Sequence, residues 1–394
     1  VQEMARKSPG AGITAMFNLT WLQRDVLIPH EKKHVENPKT LQQLNKADRG
    51  GLIYQPTIGL HYNVLQIDFS SMYPSIMSIW NVSPETIGRA SEIVRKVPDL
   101  EFEIDQSKRG LVADTLEPLL KKRLSIKARL QTLPEDSVEY QQLQAKSKAL
   151  KWLLVVCFGY QGYKHFREGR IEAHETVTAI SRWIMLQTKE LIEALGYTVL
   201  HMYVDGIWLK APEERKLAES DIQEILQLIE RETGLPILVE ANYKWIAFLP
   251  SRLNADVPVP NRYFGELDKG GFKVRGVASR RHDTPSFISE AESGLLNALA
   301  LTSDAQRLES TVPAAVDYLR SKVNELRTRR IKVEDLLVNI NISRSPEDYK
   351  VRTPAKIAGL QLLAEGRIMR PGQNLRYVYT TGEEKVAAWD LIAT

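Results

Sequence analysis

The stretch that constrains this chain most is residues 63–77, NVLQIDFSSMYPSIM. It begins with three apolar residues that predict a buried strand: Val64, Leu65 and Ile67. Asp68 ends that strand, and Pro74 then predicts a turn, because a proline disfavours helical geometry at the residue before it, Tyr73. A carboxylate at a strand end, followed by a turn with free backbone N–H groups, suits a metal ion and a phosphate. Asp68 is therefore a candidate site residue if other parts of the chain supply its partners.

A second carboxylate falls at the tip of a predicted β-hairpin. Residues 197–210, YTVLHMYVDGIWLK, have β-branched and aromatic arms on either side of Val204-Asp205-Gly206, which is a turn signal. Taken alone, Asp205 is interpreted as a plain turn residue. Taken with Asp68, it gives two carboxylates at strand ends, and carboxylate oxygens are ligands that Mg²⁺ prefers.

Two long helices joined by a short turn are predicted between these two carboxylates. The first covers residues 115–130, where leucines recur on one side, and the second runs from residue 137 to residue 158. Their outer faces carry four cations: Arg123, Lys127, Lys148 and Lys151. Cations three or four residues apart lie on one helix face and repel each other. Such faces on neighbouring helices predict a bound polyanion.

Composition excludes some classes of function and leaves others open. The 394 residues carry a net charge of +4, which permits a nucleic-acid partner without requiring one. Cys157 is the only cysteine, so the chain forms no intrachain disulfide and no cysteine-based zinc site. A reducing, intracellular compartment fits this usage, either the cytoplasm with its nucleoid or the nucleus. The longest apolar run, residues 152–158, is too short to cross a bilayer, so no membrane partner is expected.

Three motifs, taken in order, resemble the polymerase core of family B DNA polymerases. The stretch DFSSMYPS from Asp68 is similar to the family's aspartate–SLYPS motif. Residues 148–162, KALKWLLVVCFGYQG, are similar to its fingers-helix motif. The hairpin at Asp205 is similar to the family's Tyr-Gly-Asp-Thr-Asp-Ser hairpin.

Downstream segments extend the resemblance from about Gly50 to the end of the chain. Residues 261–265, NRYFG, and 273–277, KVRGV, resemble the primer-contacting strands of the family. Residues 342–350, ISRSPEDYK, resemble part of its thumb. From about Asp283 the sequence pattern also becomes mostly helical, which predicts helices over residues 285–301, 312–328 and 333–340.

The hairpin departs from the family pattern and allows two registers. Laid without gaps over residues 196–209, the family's second, metal-binding aspartate falls on Asp205, and Tyr203 takes the place of the first. In the alternative register Tyr203 falls on the motif's tyrosine and Asp205 becomes the lesser carboxylate. Ile207 then stands where the metal ligand belongs. The gapless register is preferred because it also matches the apolar residues on both arms.

Other departures concern the fingers and the primer strands. Val155 and Val156 replace an Asn-Ser pair, Phe158 replaces a tyrosine, and Asn261 stands where a lysine is usual. Such changes resemble a divergent archaeal branch of the family.

The resemblance implies an α+β fold: a right-hand polymerase with an antiparallel-sheet palm, helical-hairpin fingers and a mostly helical thumb. It implies a lead-in over residues 1–50, palm over 51–85 and 166–282, fingers over 86–165, and thumb over 283–394. That lead-in is too short for the 3′–5′ exonuclease domain typical of the family, so no proofreading is expected within this chain. A separate subunit or a missing N-terminal part is an expected partner.

The resemblance further implies addition of dNTPs to primer–template DNA. Two Mg²⁺ ions, or Mn²⁺, about 3.5–4 Å apart would be held by Asp68, Asp205 and the Phe69 carbonyl. Asp68 and Asp205 are the implied catalytic residues. The implied nucleotide-binding residues are Ser71, Met72, Tyr73, Arg123, Lys127, Lys151 and Phe158. The implied DNA-binding residues are Arg262, Tyr263, Lys273, Arg275 and Arg352.

Two of these residues have specific implied roles. Tyr73 would lie under the incoming sugar, where the family uses such a tyrosine to exclude a 2′-hydroxyl, and Phe158 would pack behind the templating pair. Repair or lesion bypass is expected from the missing exonuclease and the apolar substitutions.

Two rival functions remain open. A catalytically degenerate polymerase fold could bind DNA as a scaffold, since one hairpin aspartate and the Asn-Ser pair are lost. A reverse transcriptase is the other rival, because Tyr203-Val-Asp-Gly superficially resembles the Tyr-x-Asp-Asp hairpin of that class. The DFSSMYPS motif and the thumb signature argue against it.

Overall fold

The structure is a computed structural model that describes residues 8–32, 36, 38–47, 49–300 and 308–392. The chain forms two compact units. The first comprises the described residues up to Thr57 together with Asn63–Asn242, and the second comprises Ile58–Tyr62 and the described residues from Tyr243 onwards. The division into palm, fingers and thumb at the boundaries given above stays a prediction.

The helices of the described residues are α1 (Pro9–Gln23), α2 (Leu41–Ala47), α3 (Met72–Ile79), α4 (Leu111–Gln131), α5 (Val138–Gln161), α6 (Ile171–Ala194), α7 (Glu219–Thr233), α8 (Ser286–Leu299), α9 (Leu308–Arg327), α10 (Pro354–Ala364) and α11 (Trp389–Ile392). Within the described ranges, none of these helices combines the length and the apolar character that crossing a membrane requires.

The strands are β1 (Ile53–Tyr54), β2 (Gly59–Phe69), β3 (Val94–Lys96), β4 (Glu103–Asp105), β5 (Thr198–Tyr203), β6 (Gly206–Lys210), β7 (Ile237–Pro250), β8 (Pro258–Leu267), β9 (Phe272–Arg275), β10 (Val338–Asn341), β11 (Asn374–Tyr379) and β12 (Val386–Ala388). Helices and antiparallel strands together confirm the α+β class.

In the first unit, β1, β5, β6 and the later part of β2 are antiparallel neighbours in that order. The register of β2 on β6 places Asp68 opposite Gly206. It also places Ile67 opposite Ile207, and both isoleucines are buried in the core. The amide of Phe69 then donates to the carbonyl oxygen of Asp205 at 3.0 Å. This register brings the end of β2 to the tip of the β5–β6 hairpin.

The chain reverses after Asp68 earlier than the sequence predicts. Ser71 has a left-handed backbone, with φ of 57°, and α3 starts at the next residue, so Tyr73 and Pro74 lie in its first turn. A first-turn proline is compatible with a helix, because the N–H that it lacks has no intrahelical partner there. The prediction that Pro74 keeps Tyr73 out of helical geometry is therefore wrong.

The predicted helical hairpin is present as α4 and α5, which pack against each other. The first helix begins at Leu111, several residues before the predicted start, and the second extends to Gln161. Ser137 caps the second helix, since its Oγ accepts a hydrogen bond from the amide of Tyr140 at 3.1 Å. The hairpin thus holds its cationic faces on two regular helices.

In the second unit, the later part of β7 pairs with β8, and β8 pairs with β9, all antiparallel. Helices α8 and α9 pack against each other, and β10, β11 and β12 form a separate three-stranded sheet covered by α10. The predicted helix over residues 285–301 corresponds to α8, and its last residue, Leu301, lies outside the described residues.

Residues 333–340 are not the helix that their pattern predicts. Val333–Leu336 is a single 3-10 turn, and β10 follows with Val338 paired to Tyr377 of β11. Val338 is buried while Asn339 is exposed, which is the alternation of a strand. Pairing with a distant strand therefore overrides the local helical pattern.

A buried histidine in the first unit predicts acid sensitivity of the fold. His201 is fully buried, its Nδ1 donates to the carbonyl oxygen of Tyr54 at 2.6 Å, and its ring stacks on Trp208 with centroids 4.9 Å apart. Burial lowers the pKa of His201 to about 4, although the hydrogen bond to Tyr54 opposes this. In the unfolded chain the imidazole titrates near 6.5, as an ordinary histidine does.

The unfolded state therefore binds the proton first, so the contribution of neutral His201 is complete above pH 6.5 and is lost as the pH falls toward 4. Between pH 7.5 and pH 5 we expect the free energy of unfolding to fall by about 2 kcal/mol from this residue. Urea unfolding at both pH values, compared with His201→Phe, measures it. An equal pH dependence in the variant would contradict this assignment.

Candidate active site

Asp68 and Asp205 line one cavity of about 430 Å³ in the first unit. Asp68 stands near the end of β2, and Asp205 lies in the turn between β5 and β6. The two carboxylates come together because β2 pairs with β6 in the register that sets Asp68 opposite Gly206. The structure therefore brings together two residues that the sequence predicts at separate strand ends.

The hairpin tip has a constrained backbone. Val204 has a φ of 61°, which a β-branched residue rarely adopts, and the amide of Asp205 donates to the carbonyl oxygen of Tyr203 at 2.8 Å. Strain of this kind is often found at functional sites. Asp205 lines the cavity, whereas Ile207 is fully buried in the core. The gapless register therefore has its metal-binding residue at the cavity, and the choice between the two registers stays a prediction.

A third carboxylate, Glu240 on β7, also lines the cavity. Its charge raises the pKa of both Asp68 and Asp205. The sequence does not single out Glu240, because one glutamate in a β-rich stretch is typical of a solvated surface residue. The one signal in the sequence is that an acidic residue directly follows the apolar residues 237–239, ILV.

Burial and mutual repulsion dominate the electrostatics of the acidic cluster. Burial, then Asp205, then Glu240 raise the pKa of Asp68 to about 7, against the opposing charges of Lys127 and Lys151. Burial is also the main reason why the pKa of Asp205 is raised. Burial and the crowding of three carboxylates therefore outweigh the opposing charges of the lysines at Asp68.

Divalent cations fit this donor set. The ligating atoms available are carboxylate oxygens, which hard cations such as Mg²⁺ prefer. A cation bound between Asp68 and Asp205 would offset the burial and the repulsion that raise the pKa of Asp68. Among the described residues, no three His, Cys, Asp or Glu side chains form a closed metal cage. An incomplete protein shell is usual for Mg²⁺, which keeps water and substrate phosphates as ligands.

Three predicted cations face the cavity: Arg123, Lys127 and Lys151. The guanidinium of Arg123, only 6% exposed, donates to Oγ of Ser71, and Nζ of Lys127 donates to Oγ of Ser70 at 2.9 Å. Burial lowers the pKa of both Arg123 and Lys127. The serines of the turn before α3 therefore hold two of the cations in place.

Lys148 does not belong to this group. Its Nζ donates to Oε1 of Gln144 at 3.2 Å, and its side chain does not line the cavity. Lys148 lies nearly one helical turn before Lys151 along α5, and only Lys151 reaches the cavity.

The cavity has an aromatic wall formed by Tyr73 and Phe158. Their ring centroids are 4.4 Å apart, and Phe158 stacks on His174 from the other side at 4.2 Å with an interplanar angle of 19°. Val155 lines the same wall. Tyr73 and Phe158 thus line the same cavity as Asp68 and Asp205, and their roles toward the sugar and the base pair stay predictions.

The predicted DNA-binding residues lie in the second unit and differ in their surroundings. Arg262 donates to the carbonyl oxygen of Pro250 at 2.6 Å, and Arg275 donates to the carbonyl oxygen of Val274 at 3.1 Å. Arg352 forms an ion pair with Glu384 at 2.7 Å. Lys273 is half-buried on β9. Arg262 and Arg275 are half-buried as well, and Arg352 is exposed.

Tyr263 does not fit the predicted role. It is 2% exposed and its ring packs against Phe248 with centroids 5.8 Å apart, so its side chain belongs to the core of the second unit. Inward orientation at this position of β8 follows from the alternation along the strand. Its neighbour Arg262 instead lines a cleft of about 830 Å³ with Arg252, Arg280 and Arg281. Arg252 was not singled out from the sequence.

A profile of DNA polymerase family B matches residues 14–216 and 261–393 of the chain. The chain belongs to DNA polymerase family B. The matched segments contain Asp68, Asp205 and the three cations of the cavity, whereas Glu240 lies between the two segments. The family membership confirms the resemblance that the ordered motifs indicate.

Archaeal members of family B are similar to nearly all of this chain. DNA polymerase 2 of Saccharolobus solfataricus is 27% identical over 384 residues, covering 96% of this chain and 53% of that protein. DNA polymerase 2 of Aeropyrum pernix is 27% identical over 350 residues, covering 88% of this chain and 41% of that protein. The chain spans about half the length of the curated relatives it matches.

A solved structure supports the same fold. The family B DNA polymerase from the hyperthermophilic archaeon Pyrobaculum calidifontis superposes with a TM-score of 0.67 at 23% sequence identity, covering 98% of this chain and 48% of that one. This similarity confirms the α+β polymerase fold.

Proposed function

We propose that this chain carries the polymerase site of a DNA-directed DNA polymerase, which adds dNTPs to a primer 3′ end. One observation carries the proposal: Asp68 and Asp205 share a cavity with three cations, and burial and crowding raise the pKa values of both carboxyls. Acidic ligands for metal ions beside cations for a triphosphate are the two parts that nucleotidyl transfer requires. The names of the relatives support the same activity.

Asp68, Asp205 and the carbonyl oxygen of Phe69 would hold the divalent ions, Mg²⁺ or Mn²⁺, with Glu240 beside them. Bound there, such ions supply Lewis-acid chemistry, lowering the pKa of the primer 3′-hydroxyl and neutralising phosphate charge. The contribution of the chain is to keep the carboxylates together against their repulsion, at the end of β2 and at a hairpin tip with a constrained backbone.

The cations would bind the triphosphate of the incoming nucleotide. Arg123 offers a planar fork that suits phosphate oxygens, and Lys127 and Lys151 offer point charges. Because Ser71 and Ser70 already hold Arg123 and Lys127, these two side chains would lose little conformational entropy on binding.

The backbone before and at the start of α3 would add donors. The N–H groups of Ser71 and Met72 lie at a helix N-terminus, where no carbonyl four residues earlier can satisfy them. Such groups favour anions. Phosphate oxygens of the nucleotide are the proposed acceptors.

Tyr73 and Phe158 would bind the sugar and the base of the incoming nucleotide. Tyr73 would lie against the sugar and exclude a 2′-hydroxyl, and Phe158 would support the nascent base pair from behind. The stacking of Phe158 on His174 fixes its ring from the far side, so this wall is pre-organised for a flat ligand.

Arg262, Lys273, Arg275 and Arg352 would contact the phosphates of primer–template DNA. Contacts of this kind give affinity without base specificity and weaken as salt rises. The burial of Tyr263 assigns that residue to the packing of β8 and not to a side-chain contact with DNA.

We further propose a role in repair or lesion bypass, and we assign no proofreading to the residues of this chain. The apolar Val155 and Phe158 support the first part, because a wall with few polar groups imposes few hydrogen-bonding requirements on a damaged template base.

Primer extension on a primed DNA template tests the main proposal. With Mg²⁺ and each dNTP in turn, we expect incorporation of the nucleotide complementary to the template base, and the same primer on an RNA template should be extended poorly. Efficient extension on RNA would favour a reverse transcriptase. No extension with Mg²⁺ or Mn²⁺, while DNA binding is intact, would favour the scaffold.

A further inference from the structure

A strap formed by residues 50–52 crosses close to the aromatic wall of the cavity. A Cβ built on Gly51 would lie 3.0 Å from Oη of Tyr73 and 3.2 Å from both γ-carbons of Val204. At these distances a methyl group on residue 51 must displace its neighbours by a few tenths of an ångström. Glycine at position 51 therefore allows the strap to touch the Tyr73 hydroxyl and the hairpin tip at once.

The strap is anchored on both sides of Gly51. The carbonyl oxygen of Gly50 accepts a hydrogen bond from Nη1 of Arg182 at 2.8 Å, and the carbonyl oxygen of Leu52 accepts one from the amide of Val204 at 2.9 Å. Gly50 has a φ of 62°, which glycine adopts without strain. The strap is thus fixed to α6 and to the hairpin, and its position does not depend on the cavity being filled.

Tyr73 is confined on its other sides. Its ring contacts Phe158, and Ser181, the residue before Arg182 on α6, lies near its hydroxyl and donates to Sδ of Met72 at 3.4 Å. Consecutive residues of one helix therefore lie beside the tyrosine and hold the strap that packs against it. A shift of the strap cannot be absorbed without moving the Tyr73 hydroxyl.

We propose that Gly51 is a positioning residue that sets how far the Tyr73 hydroxyl reaches into the cavity, and thereby the room available for the sugar of the nucleotide. The inference rests on the proposed function, in which Tyr73 faces that sugar. Tyr73 and Val204 line the cavity, and the strap is not among its lining residues in the described chain. Added bulk at Gly51 consequently pushes the hydroxyl toward the sugar and not away from it.

The test is single-nucleotide insertion of matched dNTP and rNTP by wild type and Gly51→Ala. Misplacing a contact by 1 Å costs about 10²-fold, so a shift of a few tenths of an ångström should raise KM for the dNTP about three- to tenfold. The rNTP should be impaired more, so selectivity for the deoxy sugar rises. Loss of sugar selectivity, or no change in it, would overturn the proposal.

A double variant separates the tyrosine from the hairpin as the route of this effect. Tyr73→Phe removes the atom that lies 3.0 Å from the added methyl, so Gly51→Ala should change KM in that background less than twofold. An unchanged effect of Gly51→Ala in the Phe background, or an effect confined to kcat, would assign the contact to Val204 and overturn the proposal.

Two further variants keep the test decisive. Gly12→Ala, whose methyl would meet only Cδ2 of Leu153 at 3.5 Å, is the matched control and should insert both nucleotides as wild type does. If Gly51→Ala does not fold, Arg182→Lys loosens the strap and should lower sugar selectivity about threefold, whereas unchanged selectivity would contradict the proposal. Failure of wild type to extend any primer would refute the proposed function itself.

Discussion

Replacing Asp205 with asparagine should lower kcat for nucleotide insertion by about 10³-fold or more, which corresponds to about 4 kcal/mol of transition-state stabilisation. The side chain keeps its shape but loses the negative charge that a divalent ion requires at the hairpin tip. KM for the dNTP should change little, because the cations that we propose bind the triphosphate remain in place. Single-turnover primer extension at saturating Mg²⁺ measures both values.

Substitutions at two neighbouring positions, Tyr203→Phe and Ile207→Val, are the controls for Asp205→Asn. Tyr203→Phe tests the position that the first aspartate of the family motif would occupy, and it should leave kcat within about threefold of wild type. Ile207→Val tests the position required by the alternative register and should affect folding stability only, since Ile207 is fully buried. Activity surviving in Asp205→Asn but lost in Tyr203→Phe would show that the gapless register is wrong.

Replacing Lys151 with alanine should lower kcat/KM for the dNTP about 30-fold, mostly through a higher KM. A charge-assisted hydrogen bond to phosphate contributes about 1.5–3 kcal/mol, and Lys151 faces the cavity without a serine partner of the kind that holds Lys127. Pre-steady-state insertion over a range of dNTP concentrations separates KM from kcat.

Lys148→Ala is the matched control for Lys151→Ala. It removes the same charge from the same helix, but Lys148 donates to Gln144 and does not line the cavity. Its kcat/KM should stay within about twofold of wild type, because exposed charges contribute little by themselves. Equal losses in the two variants would mean that the helix acts through its general charge and that Lys151 has no specific contact with the triphosphate.

The features that the sequence predicts correctly are those determined locally. The strand before Asp68 and the hairpin around Asp205 follow from apolar patterning and a turn signal, and the helical hairpin follows from the recurrence of leucines. The ordered motifs then indicate family B, and the profile match confirms it. The convergence of Asp68, Asp205, Lys127 and Lys151 depends on strand register and helix packing, which patterns at single elements do not determine.

The errors have two physical origins. At Pro74 and residues 333–340 the local conformational preference predicts one structure, and the helix start at Met72 and the pairing of β10 with β11 override that preference. At Glu240 and Tyr263 the direction in which the strand presents each side chain decides that the first lines the cavity and the second is buried. The sequence around a glutamate in a strand does not show which residues its side chain faces.

The central claim is the proposal that Asp68 and Asp205 form a binding site for divalent cations. The pKa of Asp68 is raised above its unfolded value, so its ionisation destabilises the folded state progressively as the pH rises toward about 7, and fully above it. At pH 8 without metal, Asp68→Asn should therefore increase the free energy of unfolding by on the order of 2 kcal/mol, or about 5 °C in Tm.

Thermal unfolding of wild type and Asp68→Asn at pH 8, each in EDTA and in 10 mM Mg²⁺ (about the level at which a weak carboxylate site fills), tests this claim most directly. We expect the variant to be the more stable protein in EDTA, and Mg²⁺ to stabilise wild type while changing the variant little. A variant that is less stable than wild type in EDTA, with equal responses of both proteins to Mg²⁺, would contradict the claim.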